Sequence, residues 1–327
     1  MTNTILNPLI PKIAPLPEGI NRPQWSVMIP VYNCIHYLPE TLSSVLSQDP
    51  GVSFMEIVVV DDCSDDGNVQ ELVQTIAKHR VQYVRQERNV GSLKNFETCL
   101  NLARGEFVHL LHGDDYVMDG YYAKMTELFL TYPSAGAACC NIKYIDQNGG
   151  LLNHQPKEQD FEGLLEDWLL KIAKRQRLQY CAVSVRRKVY EHLGGFFGVH
   201  YGEDWEMWTR IAASYDFAYT PQSLACYRRH LDSISGRYLK TGENIRNIKW
   251  VINEIQQYVP QDKQGEVKTA ALQFYGHYTM KMAFSIWHRT RNKKDALHMA
   301  RQAYTFYKDF HMVLRNIWLL IKIRFRL

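Results

Sequence analysis

Between Trp25 and Leu130 the chain repeats one pattern four times: a short apolar run, a polar turn, then a stretch with apolar residues at helical spacing. The runs are Trp25 to Pro30, Met55 to Val60, Val81 to Val84 and Glu106 to Leu111. Met55-Glu-Ile-Val-Val-Val60 is nearly continuous in apolar residues, as a strand covered on both faces must be. The stretches that follow, 37–48, 69–78, 92–103 and 118–130, read as amphipathic helices; in the first, Leu38, Leu42, Val45 and Leu46 share a face. This alternation predicts an α/β fold, a doubly wound parallel sheet covered by helices. Right-handed crossovers bring the loops after such strands to one sheet edge. Ligands of these sheets bind at that edge, so the strand-end residues are the first candidates for a site.

From 135 to 235 the pattern is more mixed. Strands are expected over 136–145 and 179–185, and helices over 161–174, 187–193 and 204–214. Beyond residue 237 the spacing is helical. The chain therefore divides into an extended N-terminal arm (1–24, with five of the twelve prolines), an α/β domain (25–237) and a helical, basic C-terminal region (238–327).

The formal net charge of +4, from 38 Lys and Arg against 34 Asp and Glu, is too mild to argue for nucleic acid. It is the sum of two unlike parts. Residues 281–327 hold 11 basic and 2 acidic side chains, a net of +9; residues 1–280 hold the other 27 and 32, a net of −5. The last segment, Arg315 to Leu327, interleaves apolar residues with cations. That pattern suits either packing on the α/β domain or contact with an anionic membrane surface. A composition of 46% apolar and 22% charged residues excludes a disordered or collagen-like chain. Seven cysteines form no CxxC pair, and most have apolar neighbours, as buried, reduced thiols do. The N-terminus lacks a signal-peptide pattern, and no apolar run reaches the roughly 18 residues of a membrane span. The expected location is the cytoplasm, with peripheral contact at the cytoplasmic membrane face through the C-terminal region.

Three carboxylate pairs stand at strand ends or beside glycine: Asp61/Asp62, Asp114/Asp115 and Glu203/Asp204. Turn formation or helix capping explains any one of them. Two pairs on one sheet edge repel each other unless cations compensate. A divalent metal with a bound phosphate ligand would be such compensation, and oxygen ligands point to Mn2+ or Mg2+. Neither GxxxxGK[ST] nor GxGxxG follows the first strand. A metal, rather than a glycine-rich cradle, would then hold the phosphates.

Six segments occur in order: SVMIPVYN (26–33), EIVVVDDCSDDG (56–67), RNVGSLKN (88–95), ARGEFVHLLHGDD (103–115), GEDWEMWTRIA (202–212) and YRRHLDSIS (227–235). Together they resemble the family 2 glycosyltransferases, which have the GT-A fold, over residues 24–236. The resemblance implies an inverting transferase that moves a sugar from a nucleotide-diphosphate donor, UDP-sugar favoured, to an acceptor hydroxyl. A divalent cation and a glycan or lipid-linked acceptor in surface polysaccharide or glycoconjugate synthesis belong to the same implication. Pro30, Val31, Tyr32 and Asn33 match the turn that lies against the nucleotide. Asp62, with Asp61 beside it, matches the residue that holds the base, and a carboxylate is fitted to accept from a pyrimidine imide N–H. Asn89 and Gly91 match a loop near the nucleotide, and Lys94 or Asn95 would approach the donor.

The family's metal motif usually reads Asp-x-Asp; here His112-Gly113-Asp114-Asp115 stands in its place. Asp114 matches the metal ligand. His112 replaces the first Asp, and donation to a ribose hydroxyl and simple space-filling both stay open for it. Glu203 and Asp204 match an acidic pair near the acceptor, with Asp204 as general base; the other reading is a pair of acids favoured by a helix dipole. His230 matches a histidine that meets the metal or diphosphate, with Arg228, Arg229 and Asp115 as weaker candidates around diphosphate or acceptor. Trp205 and Trp208 read either as platforms for a sugar or as core. Two other functions fit parts of the pattern. A sugar-nucleotide binding module without turnover would suit the His112 substitution. A nucleotidyltransferase would need a basic, glycine-rich loop where this chain has PVYNCIHY.

Overall fold

The computed structural model describes residues 9–230 and 243–327. The expected boundary near 237 and the end of the 227–235 segment lie outside the described residues. Each apolar run forms a strand: β1 (Trp25–Val31), β2 (Met55–Asp61), β3 (Gln82–Arg85) and β4 (Phe107–Leu110). Helices α1 (Leu38–Leu46), α2 (Val69–Ala77) and α3 (Ser92–Leu102) connect them, and α4 (Tyr121–Thr131) follows a two-residue β5 (Tyr116–Val117). The four strands pair in parallel in the order β3-β2-β1-β4. Alternate residues of each strand face opposite helical layers. Val27, Ile29 and Val31 join one apolar cluster with Ile57 and Val59, while Met28 joins the other with Val58 and Val60.

Past β4 the sheet departs from the all-parallel expectation. β9 (Val183–Arg186) runs antiparallel between β4 and β6 (Ala135–Ile145). A 13-residue β10 (Asp216–Arg228) then lies parallel to β6 and antiparallel to β5. Its sequence hides it, because the Thr220-Pro-Gln-Ser223 stretch carries register shifts that break the alternation of side chains. Short strands β7 (Leu151–His154) and β8 (Gly163–Leu164) pair with β6 and β10. The helix expected over 161–174 shrinks to α5 (Trp168–Ile172), which starts after Asp167 at a positive φ of 52°. The strand expected from 179 begins as a 3-10 turn, Tyr180–Ala182, before β9. Two further helices, α6 (Arg187–Leu193) and α7 (Glu203–Ala212), sit within 3 residues of expectation.

The C-terminal region holds α8 (Glu243–Glu254), α9 (Gln264–Thr290), α10 (Lys293–Ala303) and α11 (Phe310–Phe325). Val251, Ile255, Val267 and Tyr275 of this region share one apolar cluster with Phe196, Trp205 and Trp208 of the α/β part. Gly198 marks the closest approach: its φ is +89°, and a Cβ there would run into the Trp250 indole on α8. The described part of the N-terminal arm is also pinned. Gly195 N–H donates to Pro11 O at 2.8 Å, Arg187 donates to Ala14 O at 2.9 Å, and Ile13 is buried.

Candidate active site

Because β1, β2 and β4 run parallel, their C-terminal ends open onto one cleft. The turn Pro30 to Cys34, Asp62, Asn89, Gly91, the α3 residues Ser92, Asn95 and Phe96, and His112 to Asp114 line it, with His200 and His230, around about 250 Å³. Ten of the twelve residues expected at the nucleotide thus share this wall with Asp114 and His230. The remaining two, Asp61 and Lys94, face elsewhere.

Local bonds explain the shape of the wall. Asn33, at φ 50°, exchanges side-chain hydrogen bonds with Asp65, donating to its Oδ1 at 2.7 Å and accepting from its N–H at 2.9 Å. This ties the β1 turn to the loop after β2. Asp61 anchors that loop from below: it is fully buried and accepts from Ser64, from Tyr83 O–H at 2.7 Å and from Arg85 at 2.5 Å. Asp62 holds the next loop. Its Oδ1 accepts from Val90 N–H at 2.7 Å and its Oδ2 from Gly91 N–H at 3.0 Å, where Gly91 takes φ +85°. Burial pushes the Asp62 carboxyl above its ordinary value, and the two amides only partly offset this. Each carboxylate oxygen keeps a second lone pair for a ligand. Asn95 donates to Val60 O at 3.0 Å and so fixes α3 against β2. Lys94 instead pairs with Glu97 at 2.7 Å and lines a neighbouring groove.

At the end of β4, His112 is packed between Phe96, stacked at 5.2 Å, and Tyr180, at 4.3 Å between ring centroids. Burial lowers its pKa, so the imidazole is neutral near pH 7, and its buried Nε2 has no hydrogen-bond partner. One ligand atom from each of His112, Asp114 and Asp115 lies within 4.8 Å of the others. His230 Nε2 is 3.0 Å from Asp114 Oδ2. Burial alone would raise the Asp114 carboxyl, but this hydrogen bond and the pull of the two histidines bring it below its ordinary value. Asp115 goes the other way: it is buried beside the Asp114 charge, and its carboxyl is pushed well up. An imidazole and two carboxylates that each bring a ligand atom within 4.8 Å of the others fit a divalent cation.

Arg228 supports this group rather than facing the cleft. Its backbone N–H donates to Asp115 Oδ1 at 2.8 Å, its Nε donates to Asp114 O at 2.9 Å, and its Nη2 pairs with Glu40. The Arg229 guanidinium sits 3.9 Å from the centroid of the Tyr144 ring. Trp205 is fully buried and donates its indole N–H to Ile172 O at 2.7 Å, and Trp208 is buried beside it. Both tryptophans are core groups, with no face left for a sugar.

Glu203 and Asp204 open α7 after Gly202, whose φ of +93° turns the chain into the helix. Tyr180 O–H donates to Glu203 Oε1 at 3.1 Å, so one tyrosine separates this pair from His112. Asp204 accepts from Trp205 N–H at 2.7 Å and from the Gln176 amide. Burial pushes Asp204 up to about 7, and burial plus the Asp204 charge pushes Glu203 up to about 8. Burial outweighs the helix dipole, which by itself would lower both. Asp204 accepts from the Trp205 N–H and the Gln176 amide and ionises first; its charge then holds the proton on Glu203. The pair therefore includes a carboxyl that titrates near neutral pH, as a general base would need.

The sequence reading missed Cys34, Ser92, Phe96 and His200 on the cleft wall, and Gln176 and Tyr180 behind the acid pair. Ser92 and Phe96 flank Asn95 on α3 and were open to a helical-face argument. His200 and Gln176 stand in irregular stretches with no local signal, and Tyr180 opens the 3-10 turn where a strand was expected.

Comparison with known proteins fits this geometry. Residues 26–194, 169 of 327, match the family described as Glycosyl transferase family 2. The uncharacterized protein MT1568 of Mycobacterium tuberculosis is 27% identical over 255 residues, covering 71% of this chain and 76% of that protein. The poly(ribitol-phosphate) beta-N-acetylglucosaminyltransferase TarS of Staphylococcus aureus is 37% identical over 95 residues, 29% of this chain and only 17% of TarS. The crystal structure of TarS 1–349 in complex with UDP-GlcNAc is similar in fold, with a TM-score of 0.66 at 19% identity, covering 86% of this chain and 80% of that one. The mannosyltransferase PcManGT from Pyrobaculum calidifontis, in complex with GDP-Man and Mn2+, gives a TM-score of 0.52 at 19% identity over 92% of this chain and 87% of that one. A match over more than half of the chain, on a sheet whose strand ends gather the motif residues in one cleft, makes this protein a member of glycosyl transferase family 2, a glycosyltransferase with the GT-A fold.

Proposed function

We propose that the protein is an inverting glycosyltransferase that moves a sugar from a UDP-sugar to a hydroxyl of a glycan or lipid-linked acceptor in surface polysaccharide or glycoconjugate synthesis. The observation that carries this reading is the grouping of His112, Asp114 and Asp115 on the wall that also holds Asp62. Tyr32, Asn33 and the 89–91 loop would enclose the nucleoside, and Asp62 would accept from the imide N–H of uracil. The TarS complex with UDP-GlcNAc supports uridine, while the PcManGT complex with GDP-Man makes guanosine the competing base.

Asp114, His112 and Asp115 would hold a divalent cation, which supplies positive charge to the diphosphate as it leaves. An imidazole among the donors suits Mn2+ better than Mg2+, which prefers oxygen alone. His230, beside Asp114, would meet the same diphosphate. Asp204 takes the proton from the acceptor hydroxyl; the hydroxyl oxygen forms a bond to the anomeric carbon as the carbon–oxygen bond to the diphosphate breaks. The electron pair of that bond leaves with the nucleoside diphosphate, and attack from the opposite face inverts the anomeric centre. Glu203, protonated and held by Tyr180, keeps the negative charge of the pair on Asp204. A cytoplasmic, membrane-peripheral location belongs to the same reading; no described helix is long and apolar enough to cross a membrane.

The test is thermal shift and calorimetry with UDP, GDP and their sugar conjugates, each with Mn2+, Mg2+ or chelator. Metal-dependent stabilisation by uridine conjugates over guanosine conjugates is expected. Stabilisation by guanosine conjugates alone would overturn the base assignment, and equal binding in chelator would overturn the metal assignment.

A further inference from the structure

Helix α11 is apolar on two opposite faces, and the protein covers only one of them. Met312, Leu319 and Ile323 point inward and are buried. Met312 Sδ lies against Gly276 of α9, Tyr304 O–H donates to Met312 O at 3.2 Å, and His277 on α9 meets the capping Asp309 at 2.9 Å. At 100° per residue, Phe310, Val313, Leu314, Ile317, Trp318 and Phe325 fall on the other side. Their exposures run from 44% to 72%. A contiguous apolar face of this size marks an interaction surface.

Charge identifies the partner. Residues 310–327 contain Arg315, Lys322, Arg324 and Arg326 and no Asp or Glu, a net of +4. Lys322 Nζ stands 5.2 Å from the Trp318 ring centroid, at the edge of the apolar face. Trp287 and Arg291 both donate to Leu327 O, at 2.9 Å and 2.5 Å, which draws the exposed run Arg289, Arg291, Lys293 and Lys294 to the same end of α11. Apolar side chains, an interfacial tryptophan and a helix whose charged side chains are all cationic match the boundary of an anionic bilayer. Pairing of this face with a second copy would set its cations against each other with no acid on the helix to answer them. The helix cannot span: its 16 residues extend about 24 Å, against a hydrocarbon core of about 30 Å, and its inner face is committed to α9.

We infer that the outward face of α11 is a docking surface for an anionic phospholipid bilayer, with Phe310, Ile317, Trp318 and Phe325 entering the headgroup boundary and the flanking Lys and Arg contacting lipid phosphates. This names the surface behind the membrane-peripheral location proposed above and does not depend on sugar transfer, since docking needs neither donor nor acceptor. Because α9 also carries Tyr275, whose hydroxyl accepts from Gln176 N–H at 3.2 Å beside Asp204, docking would set the base at a fixed height above the membrane.

The experiment is co-sedimentation of the full chain with phosphatidylcholine vesicles, with and without phosphatidylserine, and sedimentation velocity without vesicles. Binding to the anionic vesicles alone is expected. Each cation near an anionic surface contributes about a fivefold factor, so Arg315→Gln, Lys322→Gln and Arg324→Gln together should weaken binding about a hundredfold. Ile317→Ser with Trp318→Ser should weaken it at least tenfold. Both variants change side chains that are exposed or, for Lys322, half-buried, so circular dichroism and Tm should stay close to the wild type. Quenching of tryptophan emission by brominated anionic lipid, lost in Trp318→Phe, reports the same contact in a conservative variant. Equal binding to neutral vesicles, variants that bind like the wild type, or a dimer abolished by Ile317→Ser with Trp318→Ser and no vesicle binding would each overturn the inference.

Discussion

Replacing Asp204 by Asn tests whether a carboxyl titrates near neutral pH at the start of α7. Burial raises this group from 3.8 to about 7. The folded protein therefore holds the proton more tightly than the unfolded chain, and stability falls as pH rises from about 4 to about 7. For a fully enclosed carboxyl that change would cost about 4 kcal/mol at the alkaline end. Asp204 is partly reached by solvent, and screening reduces the cost to about 2 kcal/mol. Asn carries no proton to lose, so Asp204→Asn escapes this term whatever constant offset the substitution brings. About 60% of that change falls between pH 5 and pH 8.5, so at about 2 °C per kcal/mol the Tm of the variant minus that of the wild type should grow by about 2–3 °C over that range. Differential scanning fluorimetry across that range reads it directly. Loss of the base should also cut sugar transfer by about 10²- to 10⁴-fold with donor affinity retained. A Tm difference that stays flat with pH would refute the buried-carboxyl argument, and wild-type turnover would refute the role as base.

Three further outcomes follow from the same geometry. Asp62→Ala frees the Val90 and Gly91 amides, so UDP binding by calorimetry should weaken at least tenfold while the stability of the fold falls by only about 1–2 kcal/mol, read by urea unfolding. Asp114→Ala removes the carboxylate next to His112 and His230; Mn2+ should then no longer sharpen donor binding, and unchanged metal-dependent binding would count against the ligand group. Gly198→Ala forces a Cβ at positive φ against Trp250 and should cost about 3 kcal/mol, seen as a lower urea midpoint, because backbone strain and overpacking add.

The parallel half of the fold was legible because its strands carry their instruction locally. Met55–Asp61 is apolar enough to be buried on both faces wherever it goes, and the helical spacing of 38–46 and 92–102 leaves one face to cover it. β10 was not legible, since a bulged strand with Pro221 at its middle is specified by its neighbours β6 and β5 rather than by its own alternation. The strand-end motif residues were legible for a related reason: parallel pairing with Val31 beside Asp61 must bring the residues after both strands together.

The sequence by itself determined the order of elements in the parallel half, the sheet edge that bears the site, and the residue types gathered there, because hydrophobic period and parallel topology leave few alternatives. Tertiary structure alone decided what each polar group does. Asp61 and Asp62 are neighbours of the same type, yet Asp61 is sealed beneath Tyr83 and Arg85 while Asp62 borders the cleft. Trp205 was one of two readings until its burial against Ile172 made it core. Asp204 gains its raised pKa from burial by packed groups distant in sequence, against the opposing pull of the Gln176 amide. Likewise the basic tail seen in composition became a two-faced helix only when α9 covered one side of α11 and left the other in water. Charge state, accessibility and orientation depend on distances through space, and those are set by the packed chain rather than by any local stretch of it.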